Sequence, residues 1–259
     1  MEIIDVLRTA SLVLFVYMTS VFLLATILRD NRVADVAWGP GFILVAWSTL
    51  YLHGSFTPRQ LIAGMLVTIW GLRLAFRIYL RNQGNNEDFR YRQLRERWGK
   101  TFLIRSYFQI FMLTGCLTLL NISPVLFINT YDPGKTGFGD FLGVSIWLLG
   151  FCLESLSDWQ LDQFTKDPKT RGKIMDRGLW RYSRHPNYFG EVMMWWGLFI
   201  LALSVPWGHL SIIGPLTITA MILFVSGIPV TEKTLESHPD YDAYKKRTNA
   251  FIPWFQKEY

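Results

Sequence analysis

Charge is what this chain has least of. Of its 259 residues only 18% are charged, against roughly 25% in a soluble domain, while 51% are apolar and 16% aromatic. That deficit excludes an ordinary water-facing surface and points to lipid. Cysteine is scarce too. Cys116 and Cys152 both lie in apolar runs, which reads as free thiols and excludes a disulfide framework. There is no GxGxxG, no Walker A sequence, no HExxH and no cysteine or histidine set at zinc spacing. Neither a Rossmann enzyme nor an evident metalloenzyme is therefore expected, and no metal. No repeat, low-complexity stretch or shift in composition marks a second domain, so one transmembrane domain over 1–259 is expected. Glu2 and Asp5 precede the first apolar run and no small-residue cleavage site follows it, so no cleavable signal peptide is expected.

What is present is a series of long apolar runs. A bilayer-spanning helix needs about 20 mainly apolar residues, and seven stretches meet or approach that: 11–28, 33–52, 60–80, 106–128, 138–157, 188–206 and 211–230. The pattern predicts an all-α polytopic membrane protein, a bundle of about seven helices. Asn121 and Pro124 inside the fourth run predict a kink or a short break there. Seven spans place all but Arg8, Arg59 and Lys135 of the 26 lysines and arginines on one side. By the positive-inside rule that side, with the C-terminus, faces the cytosol and the N-terminus lies outside.

The loop between the fifth and sixth runs carries Lys166, Arg171 and Lys173 among aromatics and glycines, unlike a disordered polybasic tail. It reads as a structured anion site. The densest signal follows, Gly178-Leu179-Trp180-Arg181-Tyr182-Ser183-Arg184-His185-Pro186-Asn187-Tyr188-Phe189-Gly190-Glu191. Pro186 suits the first turn of a helix, because its missing N–H costs nothing there. Asn187 then sits at the positive end of the helix dipole, where phosphate or carboxamide groups bind. Glu191 falls one turn deeper on the same face, and an acid at that depth is costly unless it meets a polar cavity. The competing reading is a helix cap with Tyr182 and Tyr188 as interfacial anchors.

Glu154 and Asp158, four residues apart on the fifth run, repel unless a ligand or cations satisfy them. Arg73, Arg77 and Arg81 form a stripe on the third run, suited to phosphate or to snorkelling. Asp35-Val36-Ala37-Trp38-Gly39-Pro40-Gly41 opens the second run, with Asp35 and Trp38 on one face and glycines leaving room beside them. Asp35 also has Arg29 and Arg32 as possible ion-pair partners, and Trp38 also suits an interfacial belt. Glu232, Lys233, Tyr244 and Lys245 belong to a C-terminal segment that reads as a short amphipathic interfacial helix with an aromatic end, able to close over a cofactor.

RYSRHPNYFGE, with ESLSDWQ before it and YKKRTNAFIPWF after it, resembles the membrane steroid 5-alpha-reductase superfamily, in particular a bacterial branch with a DVAWG-type second span. The resemblance implies a seven-helix bundle in the bacterial inner membrane, NADPH held from the cytosolic side, and an apolar, steroid-like substrate entering from the bilayer. It matches Asp158 and Asn187 to cofactor-binding positions, Glu191 to the acid after NxxG, and Arg73 to a cation on the third span. Lys166 and Lys173 fall in a loop where relatives carry arginines. The catalytic Gln-Glu pair and Tyr of the eukaryotic members have Asp35 and Trp70 as their nearest equivalents here. The implied activity is reduction of the C4–C5 double bond of a 3-oxo-Δ4 steroid or similar enone, with Asp35, Trp38, Trp70 and Glu191 as catalytic candidates and either Trp38 or Tyr17 shaping the pocket. Cofactor candidates are Arg73, Arg77, Glu154, Asp158, Lys166, Arg171, Lys173, Tyr182, Arg184, His185, Asn187, Glu191, Glu232, Lys233, Tyr244 and Lys245. The same turn is similar to that of isoprenylcysteine and phospholipid methyltransferases, which use S-adenosylmethionine, and a non-catalytic sterol-binding protein is a third reading. The many cations favour strongly anionic NADPH. Membrane lipids are expected partners, nucleic acid is not, and a monomer is expected.

Overall fold

A computed structural model describes residues 2–83 and 89–256, with backbone alone at 89–90. Among the described residues every regular element is helical. Among the described residues six helical stretches are long and apolar enough, by length and composition, to cross a membrane: Ile3–Leu28, Arg32–His53, Pro58–Asn82, Tyr91–Asn121, Phe138–Lys166 and Gly208–Leu235. This is the pattern of an integral membrane protein. The expected sixth run forms a shorter helix, Pro186–Ala202, of 17 residues. At about 1.5 Å per residue it is roughly 25 Å long, less than the ~30 Å hydrocarbon core.

The chain divides into two compact units, Met1–Asp140 with Leu201–Gly214, and Phe141–Ile200 with Pro215–Tyr259. The first begins with α1 (Ile3–Leu28). Its buried stripe, Val6, Ala10, Leu14, Met18, Val21 and Ala25, recurs every three or four residues, yet its opposite face exposes Phe15, Leu23 and Ile27. A helix apolar on both faces has protein on one side and lipid on the other. Next come α2 (Arg32–His53) and α3 (Pro58–Asn82). A Cβ on Gly39 would lie 2.3 Å from the Gly71 carbonyl oxygen, so only glycine lets α2 and α3 cross this closely. A capping box starts α3: Gln60 N–H donates to Thr57 Oγ1 at 3.4 Å, and Thr57 N–H donates to Gln60 Oε1 at 3.1 Å.

After α4 (Phe89–Trp98) and α5 (Phe102–Ser106), a π-helical stretch over Tyr107–Met112 leads into α6 (Leu113–Asn121). The chain breaks at Ile122 before α7 (Ser123–Tyr131), with Pro124 in its first turn. The interruption expected at Asn121 and Pro124 is present. A buried ionic knot closes this unit. Arg59, 2% exposed, donates from Nε and Nη2 to Asp140 at 2.6 and 2.9 Å, and also pairs with Asp132, which accepts from Thr57 as well.

The second unit contains most of α8 (Phe138–Lys166) and α9 (Pro186–Ala202), then most of α10 (Ile213–Ala220), with α11 (Ile228–Leu235) and α12 (Tyr241–Arg247). α8 and α9 meet through small residues seven apart on each helix. A Cβ on Gly190 would lie 2.5 Å from Gly150 O, and one on Gly197 would lie 2.7 Å from Gly143 O. Backbones this close carry the polar residues one turn further along into one neighbourhood, and that seam builds the site in this unit.

Candidate functional site

In the second unit α9 begins at Pro186, as its missing N–H favours. One residue on, Asn187 Nδ2 donates to Asp158 Oδ1 of α8 at 3.2 Å. Asn187 Oδ1 is buried and, among the described residues, accepts from none. Such an orphaned oxygen costs about 1–3 kcal/mol unless a ligand supplies a donor. Asp158, Glu154 and Glu191 are 5%, 4% and 8% exposed. Surface solvation, the bland alternative for Asp158, does not fit that burial.

The turn leading into α9 is clasped by the C-terminal segment. Arg184 Nε and Nη2 donate to Glu232 Oε1 at 2.8 and 2.6 Å, and Nη1 donates to the Lys245 and Thr248 carbonyls at 3.1 and 2.5 Å. His185 Nε2 lies 3.3 Å from the same Glu232 oxygen, and its ring stacks on Tyr188 at 5.4 Å. Main-chain bonds run Arg184 N–H to Asn249 O and Trp254 N–H to Tyr182 O, both at 2.9 Å. Tyr244 donates to Trp180 O at 2.6 Å, while burial raises its phenol well above the ordinary range. Burial and then the Glu232 carboxylate push Tyr241 up to about 12. The C-terminal segment is thus anchored onto the RYSRHPNY turn, with Arg184, His185, Glu232 and Tyr244 brought together. Tyr182 packs edge-on against Phe255, whereas Lys233 and Lys245 are exposed. Lys166 and Arg171 are exposed as well; Lys173 lines a cavity of about 280 Å³ with Asp176, Arg177, Asp240, Tyr244 and Arg247. Arg247 reaches Asp176 at 2.5 Å across it.

In the first unit the Gly39–Gly71 crossing brings Trp38 and Trp70 together. Their ring centroids are 6.4 Å apart, and Phe42 completes a box at 5.9 Å from Trp38 and 5.2 Å from Trp70. Trp38 Nε1 is buried, with no acceptor among the described residues. Asp35, one turn before it, accepts from Tyr91 Oη at 2.8 Å. Tyr17 donates to the Ala37 carbonyl at 2.9 Å, closing the α1 side. Arg32, offered by the sequence as a partner for Asp35, chelates Asp30 at 2.7–3.0 Å and holds that carboxyl below its usual range. Arg73 and Arg77, further along α3, are half-buried. Tyr91 was missed from sequence because it lies in a run of arginines that reads as a solvated basic loop. An acid on an apolar helix was the signal to look for a distant donor.

Residues 21–248 match the family described as "Protein of unknown function (DUF1295)". This chain belongs to that family. An uncharacterized protein of Schizosaccharomyces pombe is 25% identical over 225 residues, covering 75% of this chain and 63% of its own length. The 3-oxo-5-alpha-steroid 4-dehydrogenase 1 of Bos taurus is 29% identical over 110 residues, 42% of this chain and 41% of that protein. The Homo sapiens enzyme of the same name is 38% identical over 64 residues, 25% of each chain. The chain therefore spans less than two thirds of the length of these relatives and is a distant homologue of the steroid enzymes over part of its length. No solved structure matches it.

Proposed function

We propose that this protein is an NADPH-dependent reductase of an apolar enone, with a 3-oxo-Δ4 steroid as the model substrate. The observation that carries the reading is the acid–phenol pair Asp35–Tyr91 beside the Trp38–Phe42–Trp70 box, where the Trp38 indole N–H has no acceptor among the described residues. The rings pack edge-on, and this aromatic cluster suits contact with a fused-ring substrate at the half-buried Trp38. A carbonyl oxygen in that place would accept from Trp38 Nε1, and Asp35, oriented by Tyr91, would hold the proton that stabilises the developing enolate. The partial homology to 3-oxo-5-alpha-steroid 4-dehydrogenase 1 supports the same chemistry.

The residues of the second unit fit NADPH. Asn187 Oδ1 needs a donor such as an amide or a ribose hydroxyl, and buried Asp158 and Glu154 can accept from hydroxyls. Lys173 and Arg177 at the 280 Å³ cavity supply charge for phosphates. When bound, the cofactor supplies a hydride to the β-carbon of the enone. Glu232 is tied to Arg184 and His185, so those three residues hold the turn that presents Asn187.

Thermal unfolding of the purified protein tests the cofactor. NADPH at saturating concentration should raise the melting temperature, and NADH should raise it less, because the extra phosphate meets cations. Stabilisation by S-adenosylmethionine with none by NADPH would overturn the reductase reading in favour of a methyltransferase. A second expectation follows from the orphaned amide oxygen. Asn187→Ala should weaken NADPH binding by about 1.5–3 kcal/mol in titration while leaving membrane insertion intact. Unchanged affinity would reduce Asn187 to a helix-start residue whose only task is to satisfy Asp158.

A further inference from the structure

A second charged cavity, apart from the residues used above, opens within the first unit. It has a volume of about 400 Å³ and lies between the C-terminal end of α1 and the stretch from α4 to α5. Arg29, Arg95 and Lys100 line it, and among the described residues no acid does. Two acids adjoin the lining cations in sequence: Asp30 is chelated by Arg32, and Glu96 is exposed and does not line the cavity. Its polar floor is made by Asn31, 4% exposed, which donates from Nδ2 to the equally buried Ser106 Oγ at 2.8 Å. Arg95 is held in place, its guanidinium 4.3 Å from the Phe102 ring centroid and within 3.5 Å of the Arg29 carbonyl. The remaining wall is apolar, built from Phe22, Ala25, Phe102 and Leu103. Next to it α1 exposes Leu23, Leu24, Ile27 and Leu28, the lipid-facing side of a spanning helix.

We infer that this cavity binds the phosphodiester headgroup of an anionic membrane phospholipid. Three cations and a buried hydroxyl suit a phosphate. The half-apolar wall, opening where a lipid-facing helix ends, suits the glycerol and the first carbons of an acyl chain. A free phosphate has no use for that apolar half, and a zwitterionic lipid brings its own cation among three others.

Native mass spectrometry of the whole protein, released from detergent after titration with defined lipids, tests this. Phosphatidylglycerol should be retained at one saturable site, phosphatidylcholine should not, and inorganic phosphate should not displace the lipid. The double variant R29A/K100A removes two exposed cations and should weaken retention roughly thirtyfold, from about a tenfold-or-less loss per cation, whereas R29K/K100R should bind as the wild type does. Equal retention of both lipids, undiminished retention in R29A/K100A, or competition by inorganic phosphate alone would each overturn the inference. Displacement of the lipid by NADPH would reassign the cavity to the nucleotide, a result that leaves the reductase reading standing and removes this one.

Discussion

Asp35→Asn is expected to lower the single-turnover rate of enone reduction by roughly 10²–10⁴-fold, the range for losing a general acid. Tyr91 donates to Asp35 Oδ1, and an asparagine carbonyl oxygen can accept the same bond, so the local fold should persist while the transferable proton is lost. NADPH affinity should be unchanged. Tyr91→Phe should give a smaller loss, because the acid remains but its carboxylate is no longer aimed. The measurement is oxidation of prebound NADPH after mixing with a Δ4-3-ketosteroid, which reads chemistry without product release. If Asp35→Asn keeps its rate but unfolds at lower temperature, the Asp35 charge serves the fold rather than the chemistry, and the acid must be sought elsewhere, with Glu191 next.

The largest stability effect is expected far from that chemistry, at Arg59. Arg59→Ala would leave Asp132 and Asp140 buried without their cation, and removing one member of a buried ion pair costs about 3–5 kcal/mol. Against a typical total of about 5–15 kcal/mol, that should sharply lower the yield of folded protein and the midpoint of denaturant unfolding in detergent. Arg59→Lys should recover only part, since an ammonium cannot match the two parallel bonds from Nε and Nη2 to Asp140. Replacing all three residues by apolar ones of similar size should restore much of the loss, because it removes the uncompensated charge together with the pair. A loss below about 1 kcal/mol in Arg59→Ala would mean that water reaches these carboxylates and that the knot is not buried in solution.

Composition and periodicity by themselves determined the helical class, the membrane-spanning character and the places where helices begin or break. Those properties are local: a run of about 20 apolar residues has one stable answer in lipid, Pro186 starts a helix because it lacks an N–H, and Pro124 interrupts one for the same reason. The sequence also singled out Asp35, Trp38, Trp70, Glu154, Asp158, Asn187 and Glu191, since polar and small residues stand out against an apolar background. Partners were beyond its reach. Arg59 looked like one of three stray cations on the sparsely charged side, yet it closes a buried knot with acids 73 and 81 residues away. Arg184 and Glu232 looked like ligand-binding charges, and the folded chain couples them to each other. Tyr91 was hidden among arginines. Each of these is a pairing across long sequence separation, and it is decided by where helices cross. The crossings in turn depend on glycines 39 and 71 on one pair of helices and 150 and 190 on the other, whose missing side chains set the distance at which backbones, and hence polar groups, can meet.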